Sequence, residues 1–268
     1  MDIKHLINKQ LIALHNVKQF LKMQDPKLPN LETEIWKRIT HIPNTQVNLT
    51  HNINYIASDI KWATRLSYKL QQVLVNYQLL QMQIGKPIAL FAVLKDIFTL
   101  FFFFAESQNL SVLDIGCGFG YYFEVINFYF PNTFKYSGCD QLKEAICAAK
   151  ERNPCIDFRV QQYNNMKYKD KAFDITLLSD GLVNFSNYEK ALKEVCRITN
   201  KYIILHRIKF TDGSTKQQRS LKYFLPSLNH IFNDKTFFDI FEKYNFVLIW
   251  EQFIGQNTYT FLLKRKEL

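Results

Sequence analysis

The sequence predicts an α/β protein: a mostly parallel, doubly wound sheet of seven strands that is closed by an antiparallel C-terminal hairpin and preceded by helices. Two observations support this prediction. From Ser111 onward, short β-rich segments alternate with helical ones, which is typical of parallel strands joined by right-handed crossovers. Near the end of the chain, two apolar segments flank Ile254–Asn257, a connection of hairpin length. This final hairpin distinguishes the predicted topology from an ordinary dinucleotide-binding fold.

The sequence predicts helices in the first part of the chain and the sheet in the second. Up to about residue 104, helical segments are broken at residues 25–26, 29–30, 43–44 and 85–87, which contain proline or glycine. The most apolar segment, Leu90–Ala105, is interrupted by two charges and is too short to span a bilayer, so we expect a buried helix and no membrane span. We therefore predict a helical extension or lid over residues 1–104 and a sheet domain over 105–268. The predicted strands are Ser111–Ile115, Lys135–Cys139, Ile156–Val160, Asp174–Leu178, Tyr202–Leu205, Phe246–Trp250 and Tyr259–Leu263, and the predicted helices of the sheet domain are Tyr121–Phe130, Leu142–Arg152, Tyr188–Ile198 and Asp234–Lys243.

Charge and cysteine content limit the functional classes. The net charge is +10, but the basic residues are spread along the whole chain, so surface lysines explain the charge about as well as a nucleic-acid groove does. Nucleic acid is therefore a possible but less favoured partner. No secretory signal is visible, no metal site is predicted, and the odd number of cysteines without a CxxC pair favours a reduced, cytoplasmic protein. The cysteines are Cys117, Cys139, Cys147, Cys155 and Cys196.

The strongest local pattern is an apolar strand that ends in three glycines at alternate positions, Gly116, Gly118 and Gly120. Such a turn lets a ligand approach the backbone without meeting a Cβ, and the following helix presents free N–H groups. A tight structural turn gives the same pattern, so the spacing to a second feature matters. Twenty residues after Gly120, the second predicted strand ends in Asp140, where a carboxylate can accept hydrogen bonds from both hydroxyls of a ribose.

The segment Asp114–Gly120 resembles motif I of the class I S-adenosylmethionine-dependent methyltransferases, which have a Rossmann-like seven-stranded sheet, and the resemblance runs from about Ser111 to Leu205. It implies S-adenosyl-L-methionine as the cofactor. In this family an acidic residue after strand three reaches the adenine amino group; Gln162 stands there, and its amide oxygen can accept the same bond. Met166 is either an apolar wall for the adenine or a core residue. The resemblance implies a cofactor site formed by Asp114, Gly116, Cys117, Gly118, Gly120, Asp140, Gln141, Gln162, Tyr163 and Ser179.

A second stretch, Leu177–Leu182, resembles motif IV of the same family, where strand four ends beside the transferred methyl group. The resemblance places Ser179 and Asp180 at the reaction centre. His206 follows the fifth predicted strand and is either a hydrogen-bonded histidine that caps the strand or a group that orients or deprotonates the acceptor. We predict Asp180 and His206 as the catalytic residues. The chain after His206 is similar to uncharacterised bacterial methyltransferases associated with surface-polysaccharide biosynthesis.

The leading hypothesis is a methyltransferase acting on a small molecule or saccharide. O-methylation is favoured because the DPPY-like tetrad of amine-directed nucleic-acid enzymes is absent. One alternative is an RNA methyltransferase using the basic N-terminal helices. Another is an inactive binding protein, suggested by Gln162 and by Thr199–Lys201, which replace an expected glycine pair. An NAD-dependent oxidoreductase is disfavoured, because Tyr121 stands where its fingerprint requires a third glycine.

Overall fold

The computed structural model describes residues 71–104, 109–179, 188–222, 225–255 and 257–266. The chain divides into two compact units, residues 1–76 with 221–226 and residues 77–220 with 227–268, and the second unit holds most or all of every strand. The described helices are α1 (71–83), α2 (Ala89–Phe104), α3 (Tyr121–Tyr129), α4 (Lys143–Arg152), α5 (Tyr188–Ile198) and α6 (Asp234–Glu242). The described strands are β1 (Ser111–Ile115), β2 (Lys135–Asp140), β3 (Asp157–Val160), β4 (Phe173–Leu178), β5 (Thr199–Thr211), β6 (Lys216–Lys222), β7 (Leu225–Asn233), β8 (Phe246–Gly255) and β9 (Thr258–Arg265).

The sheet has a parallel centre and an antiparallel end. Strands β3, β2, β1, β4 and β5 lie side by side in that order and are parallel. Strand β9 pairs antiparallel with β5, and β8 pairs antiparallel with β9. The order reverses at β1, because β2 lies on one side of it and β4 on the other. In open α/β sheets, ligands bind beyond the carboxyl ends of the strands at such a reversal.

Hydrophobic patterning explains the main elements. The central strands β1 and β4 are buried over their last four residues, and their sequences are mostly apolar, as expected for parallel strands that are covered on both faces. Helix α5 buries one stripe at helical spacing against the sheet. Helix α6 is capped at its N-terminus by Asn233, whose side chain accepts a hydrogen bond from the backbone amide of Thr236 at 3.2 Å. The buried stripe of α5 consists of Ala191, Leu192, Val195, Cys196 and Ile198.

The apolar helix predicted before the sheet is present as α2. Its residues Leu94, Ile97 and Phe98 are fully buried. The Phe98 ring packs edge-on against the ring of Phe134, with centroids 4.9 Å apart. In the part of the chain that the structure describes, no helix has the length and apolarity needed to cross a membrane. The helix is therefore a packing element of the second unit.

The predicted fold class is confirmed, and the seven predicted strands are all present. The prediction that strand five ends at Leu205 is wrong, because β5 continues to Thr211. Two further strands, β6 and β7, were not predicted. The sequence of β6 is polar and lacks alternation, and β7 contains Pro226, a residue that is confined to sheet edges, strand starts and bulges. The polar segment after β5 is thus partly strand. The predicted lid over residues 1–104 stays a prediction, since residues 1–70 lie outside the described part.

Candidate active site

The glycine loop follows β1 at the carboxyl edge of the sheet. Gly116, Gly118 and Gly120 have φ angles of 79°, 53° and 72°. The left-handed region costs other residues about 1–2 kcal/mol each, so the backbone path itself favours glycine. The amides of Gly116 and Cys117 both donate to the carbonyl oxygen of Cys139, at 2.8 and 3.0 Å. These bonds hold the loop against the end of β2.

Two glycines of this loop have different surroundings. A Cβ on Gly120 would lie 2.5 Å from Cζ of Phe158, because the start of α3 packs closely on the ring from β3. A Cβ on Gly118 would meet no atom within 4 Å. Gly120 is therefore required for internal packing, whereas Gly118 faces open space beyond the sheet edge.

Asp140 connects the loop to the end of β2. Its Oδ2 accepts a hydrogen bond from the amide of Gly118 at 3.1 Å, and its Oδ1 accepts one from the amide of Leu142 at 2.9 Å. Burial raises the pKa of Asp140, although these hydrogen bonds oppose the change. The Tyr163 hydroxyl and the Gln141 amide also bond to this carboxylate. Asp140 is 7% exposed and can therefore accept further bonds from a ligand in front of Gly118.

Asp114 lies one layer deeper, on β1. It is fully buried, and the Tyr136 hydroxyl donates to its Oδ2 at 2.5 Å. Its Oδ1 has no hydrogen-bond partner among the described residues. Burial raises the pKa of Asp114 to about 7, the Tyr136 bond lowers it, and Asp140 raises it further. A buried carboxylate oxygen without a partner is suited to a ligand that carries positive charge or donates hydrogen bonds.

The remaining predicted cofactor residues lie around the same edge. Cys117 is buried, and burial raises the pKa of its thiol, which stays protonated. Gln141 and Gln162 are exposed. The hydroxyl of buried Tyr163 accepts a bond from the amide of Gln141 at 3.4 Å, which joins the loop after β3 to the end of β2. Gln162 and Tyr163 lie in a short turn after β3, where an isolated bridge pairs Gln162 with Asn165.

Helix α5 holds the loop after β3, and the sequence did not reveal this contact. Arg197 donates to the carbonyl oxygens of Met166 and Tyr168, at 3.1 and 2.9 Å, and to Glu194. Glu194 in turn accepts from the amide of Met166 at 3.0 Å. Met166 is 2% exposed and belongs to the hydrophobic core, so of the two roles considered for it the structure favours the core residue. The only sequence signal was the spacing of Glu194 and Arg197, which suits an ion pair within a helix.

At the end of β4, Ser179 is buried and its hydroxyl lies 3.0 Å from that of Tyr122, which belongs to α3. Asp180, the next residue, lies outside the described residues. His206 is inside β5 rather than beyond it and is fully buried, with its Nδ1 2.8 Å from Oγ1 of Thr260. The rings of His206 and Tyr122 are 5.6 Å apart. The structure thus brings Ser179 and His206 together around Tyr122, a residue that the sequence did not single out.

Comparison with known proteins identifies the sheet region. Residues 112–201 match the model of a family described as a methyltransferase domain. Over this third of the chain, the protein is similar to S-adenosylmethionine-dependent methyltransferase domains. The match begins at β1 and ends in β5, so it includes the glycine loop, Asp140, Gln162 and Ser179.

Among curated proteins, the chain is 29% identical over 134 residues to the ubiquinone/menaquinone biosynthesis C-methyltransferase UbiE of Campylobacter jejuni, in several strains. The aligned segment covers 46% of this chain and 57% of the relative. The chain thus spans a little over half the length of the curated relatives it matches.

Among solved structures, PH0226 from Pyrococcus horikoshii OT3 superposes with a TM-score of 0.50 and 18% identity, covering 65% of this chain and 90% of the other. The [4+2]-cyclase SpnF superposes with a TM-score of 0.50 and 15% identity, covering 65% and 80%. These likenesses establish the fold. Since a protein named as a cyclase shares that fold, the reaction has to be argued from the residues of the site.

Proposed function

We propose that this chain binds S-adenosylmethionine at the glycine loop and transfers its methyl group to a small-molecule or saccharide acceptor. The observation that carries the proposal is the arrangement at the carboxyl ends of β1 and β2, where Gly118 faces open space, its amide donates to the carboxylate of Asp140, and the carboxylate of Asp114 lies buried beneath. A cofactor with a ribose, an ammonium group and a sulfonium fits hydrogen-bond acceptors placed in this way.

The cofactor supplies a methyl group that is already activated by the sulfonium. The protein's tasks are then to align the acceptor, exclude water and receive a proton when the acceptor is a hydroxyl. In this proposal Asp140 accepts bonds from the ribose hydroxyls, and Gln162 accepts one from the adenine amino group. Gly116, Gly118 and Gly120 let the backbone approach the ligand, and the other cofactor residues are Asp114, Cys117, Gln141, Tyr163 and Ser179.

One observation favours O-methylation of a small acceptor, and a second bears on which small acceptors to test. The chain lacks a DPPY-like tetrad after β4, where amine-directed nucleic-acid enzymes carry one. The curated relatives are named as C-methyltransferases of ubiquinone/menaquinone biosynthesis, so quinol-like phenols belong in the acceptor screen beside saccharides. Labelled S-adenosylmethionine incubated with saccharide, nucleotide-sugar, phenol and RNA pools tests the class. Label recovered only in RNA would contradict the proposal.

We extend the proposal to the acceptor side, where Asp180 and His206 orient or deprotonate the acceptor hydroxyl. His206 lies beside Tyr122 at the level where β4 ends, because Leu205 is in register with Leu178. We expect Asp180→Asn or His206→Gln to lower the single-turnover rate by about 10²–10⁴-fold, the usual contribution of general-base catalysis, with unchanged cofactor affinity. Rates equal to wild type in both variants would leave alignment as the catalytic device.

Asp140 provides the direct test of cofactor binding. We expect Asp140→Ala to weaken S-adenosylhomocysteine binding by roughly 1.5–3 kcal/mol, or about 10- to 150-fold in Kd, because it removes hydrogen bonds to a charged group. Asp157→Ala is the matched control, since that carboxylate lies exposed on β3 and pairs with Arg159. Isothermal titration measures both. Equal affinities in the two folded variants would remove Asp140 from the site.

A further inference from the structure

The contact between Asp114 and Tyr136 lies below the glycine loop, in the interior of the sheet. Asp114 is in register with Gly138 on β2, so Tyr136 is its diagonal neighbour, two residues earlier on that strand. The Tyr136 ring is 6% exposed and is held between Phe123 and Phe158, with centroids 5.5 and 6.4 Å away. The hydroxyl therefore has a fixed position from which it donates to Oδ2 of Asp114.

No cationic group compensates this carboxylate within the described residues. The titratable groups that interact with Asp114 are Tyr136 and Asp140 on β2, together with the thiols of Cys117 in the loop and Cys139 on β2. A buried carboxylate near a second carboxylate is costly unless it is protonated or paired with a cation. Oδ1 of Asp114 remains without a hydrogen-bond donor in this part of the chain, although Tyr136 satisfies Oδ2.

We propose that Tyr136 is a positioning residue: by occupying Oδ2 it holds the Asp114 carboxylate with Oδ1 ready for the ammonium group of the bound cofactor. This inference rests on the proposed function, since it assigns a task to a residue within the same cofactor site. Tyr136 does not touch the cofactor in this account. It acts by orienting Asp114 and by favouring the ionised form of that carboxylate.

The proposal has a specific pH signature. Only the ionised carboxylate pairs with an ammonium group, so affinity falls as the pH drops below the pKa of Asp114, which burial raises to about 7. The Tyr136 bond lowers that pKa. Removing the hydroxyl therefore moves the loss of affinity to higher pH. A residue that only fills space would leave the midpoint unchanged.

The experiment compares wild type, Tyr136→Phe and Asp114→Asn by isothermal titration from pH 6 to pH 9. The probes are S-adenosylhomocysteine, which carries the ammonium group, and 5′-methylthioadenosine, which lacks the whole amino-acid portion. We expect both variants to bind S-adenosylhomocysteine at least tenfold more weakly at pH 7, with 5′-methylthioadenosine unaffected and the Tyr136→Phe midpoint shifted upward. The control is Tyr129→Phe, which removes a hydroxyl from α3 on a tyrosine whose ring lies under the Lys95 ammonium, 5.6 Å from the ring centroid.

The outcomes separate the two proposals. If wild type binds neither probe, the proposed function fails. If wild type binds both but Tyr136→Phe weakens both equally, or leaves the S-adenosylhomocysteine midpoint unchanged, Tyr136 supports the fold and the positioning role is overturned.

A readout without any ligand adds a second check. Because the folded pKa of Asp114 is above its usual value, the folded protein binds more protons than the unfolded chain between about pH 4 and pH 7, so this group's contribution to stability declines as the pH rises through that window. Thermal unfolding of the ligand-free protein should show this decline, extended to higher pH in Tyr136→Phe and absent in Asp114→Asn. Identical pH profiles in all three proteins would contradict the coupling between the two side chains.

Discussion

At the scale of single residues, the glycine loop separates two requirements that the sequence motif joins. Gly120 is needed because Phe158 occupies the space that a side chain would take, and Gly118 is needed for its backbone angle while its outer side faces open space. A substitution at the packed glycine should change the stability of the fold, whereas one at the glycine that faces open space should change the affinity for a ligand bound there. The two glycines can therefore be tested against each other.

We predict that two matched glycine substitutions affect different quantities, one the free energy of unfolding and the other the affinity for the cofactor product. Gly120→Ala adds backbone strain of about 1–2 kcal/mol and overpacking of roughly 1–3 kcal/mol against Phe158, so it should mainly lower the free energy of unfolding. Gly118→Ala adds the backbone strain but no overpacking, because its methyl group would project into open space. Since we expect the ligand to occupy that space, this variant should mainly abolish S-adenosylhomocysteine binding. Urea unfolding and isothermal titration measure the two quantities. Normal cofactor affinity in Gly118→Ala would mean that the ligand does not approach this face of the loop.

At the scale of elements, local patterns predicted the sheet and its helices well. The bounds of β1 and α5 agree with the prediction, because a short, mostly apolar run before a glycine turn and a strong helical stripe leave little ambiguity. The end of β5 was missed, since the strand continues past His206 through a bulge at which Arg207 has a φ of 65°. Nothing in the local sequence specifies such a bulge.

In the candidate site, too, some residues were predicted from local sequence patterns and others were not. Gly118 and Asp140 were predicted because a strand, a turn and a spacing are visible along the chain. Tyr122, Tyr136 and Arg197 were not, because their contacts join residues between 22 and 57 positions apart that only the packed sheet brings together. Sequence patterns therefore predicted the glycine loop at the carboxyl edge of the sheet but not the side chains that hold it in place.

Arg197 on α5 holds the loop after β3. Its guanidinium bonds the loop after β3 at two carbonyl oxygens and pairs with Glu194 and Asp170, so it fixes the turn that carries Gln162. We expect Arg197→Ala to cost roughly 1.5–3 kcal/mol of stability and to raise amide hydrogen exchange in residues 161–171. Arg159→Ala, which breaks an exposed pair with Asp157, should change stability by under about 1 kcal/mol.

Unchanged hydrogen exchange in Arg197→Ala would contradict this prediction. If the amides of residues 161–171 exchange at wild-type rates in Arg197→Ala, the loop is held by its own packing, for which buried Met166 is the main candidate. A loss of S-adenosylhomocysteine affinity that accompanies faster exchange would connect α5 to cofactor binding through the loop.

At the scale of the whole molecule, the charge of +10 keeps an RNA acceptor as the competing hypothesis. Binding to RNA through phosphate contacts falls steeply as the salt concentration rises, whereas a small neutral acceptor shows little dependence. The salt dependence of acceptor turnover therefore distinguishes the classes once a labelled product is found. The residues before the described part bear on the same question, because the sequence predicts helices there that would cover the acceptor.

The last prediction tests that lid. The family match begins at residue 112, and every proposed cofactor residue follows it, so we expect cofactor binding not to require the first 43 residues. We expect deletion of Met1–Pro43 to lower acceptor turnover by at least tenfold while S-adenosylhomocysteine affinity changes by less than about threefold, which is roughly 0.7 kcal/mol. Circular dichroism and thermal unfolding verify that the shortened protein is folded. Equal losses of turnover and cofactor affinity in a folded protein would make these residues a structural support, and undiminished turnover would place the acceptor site wholly within the sheet domain.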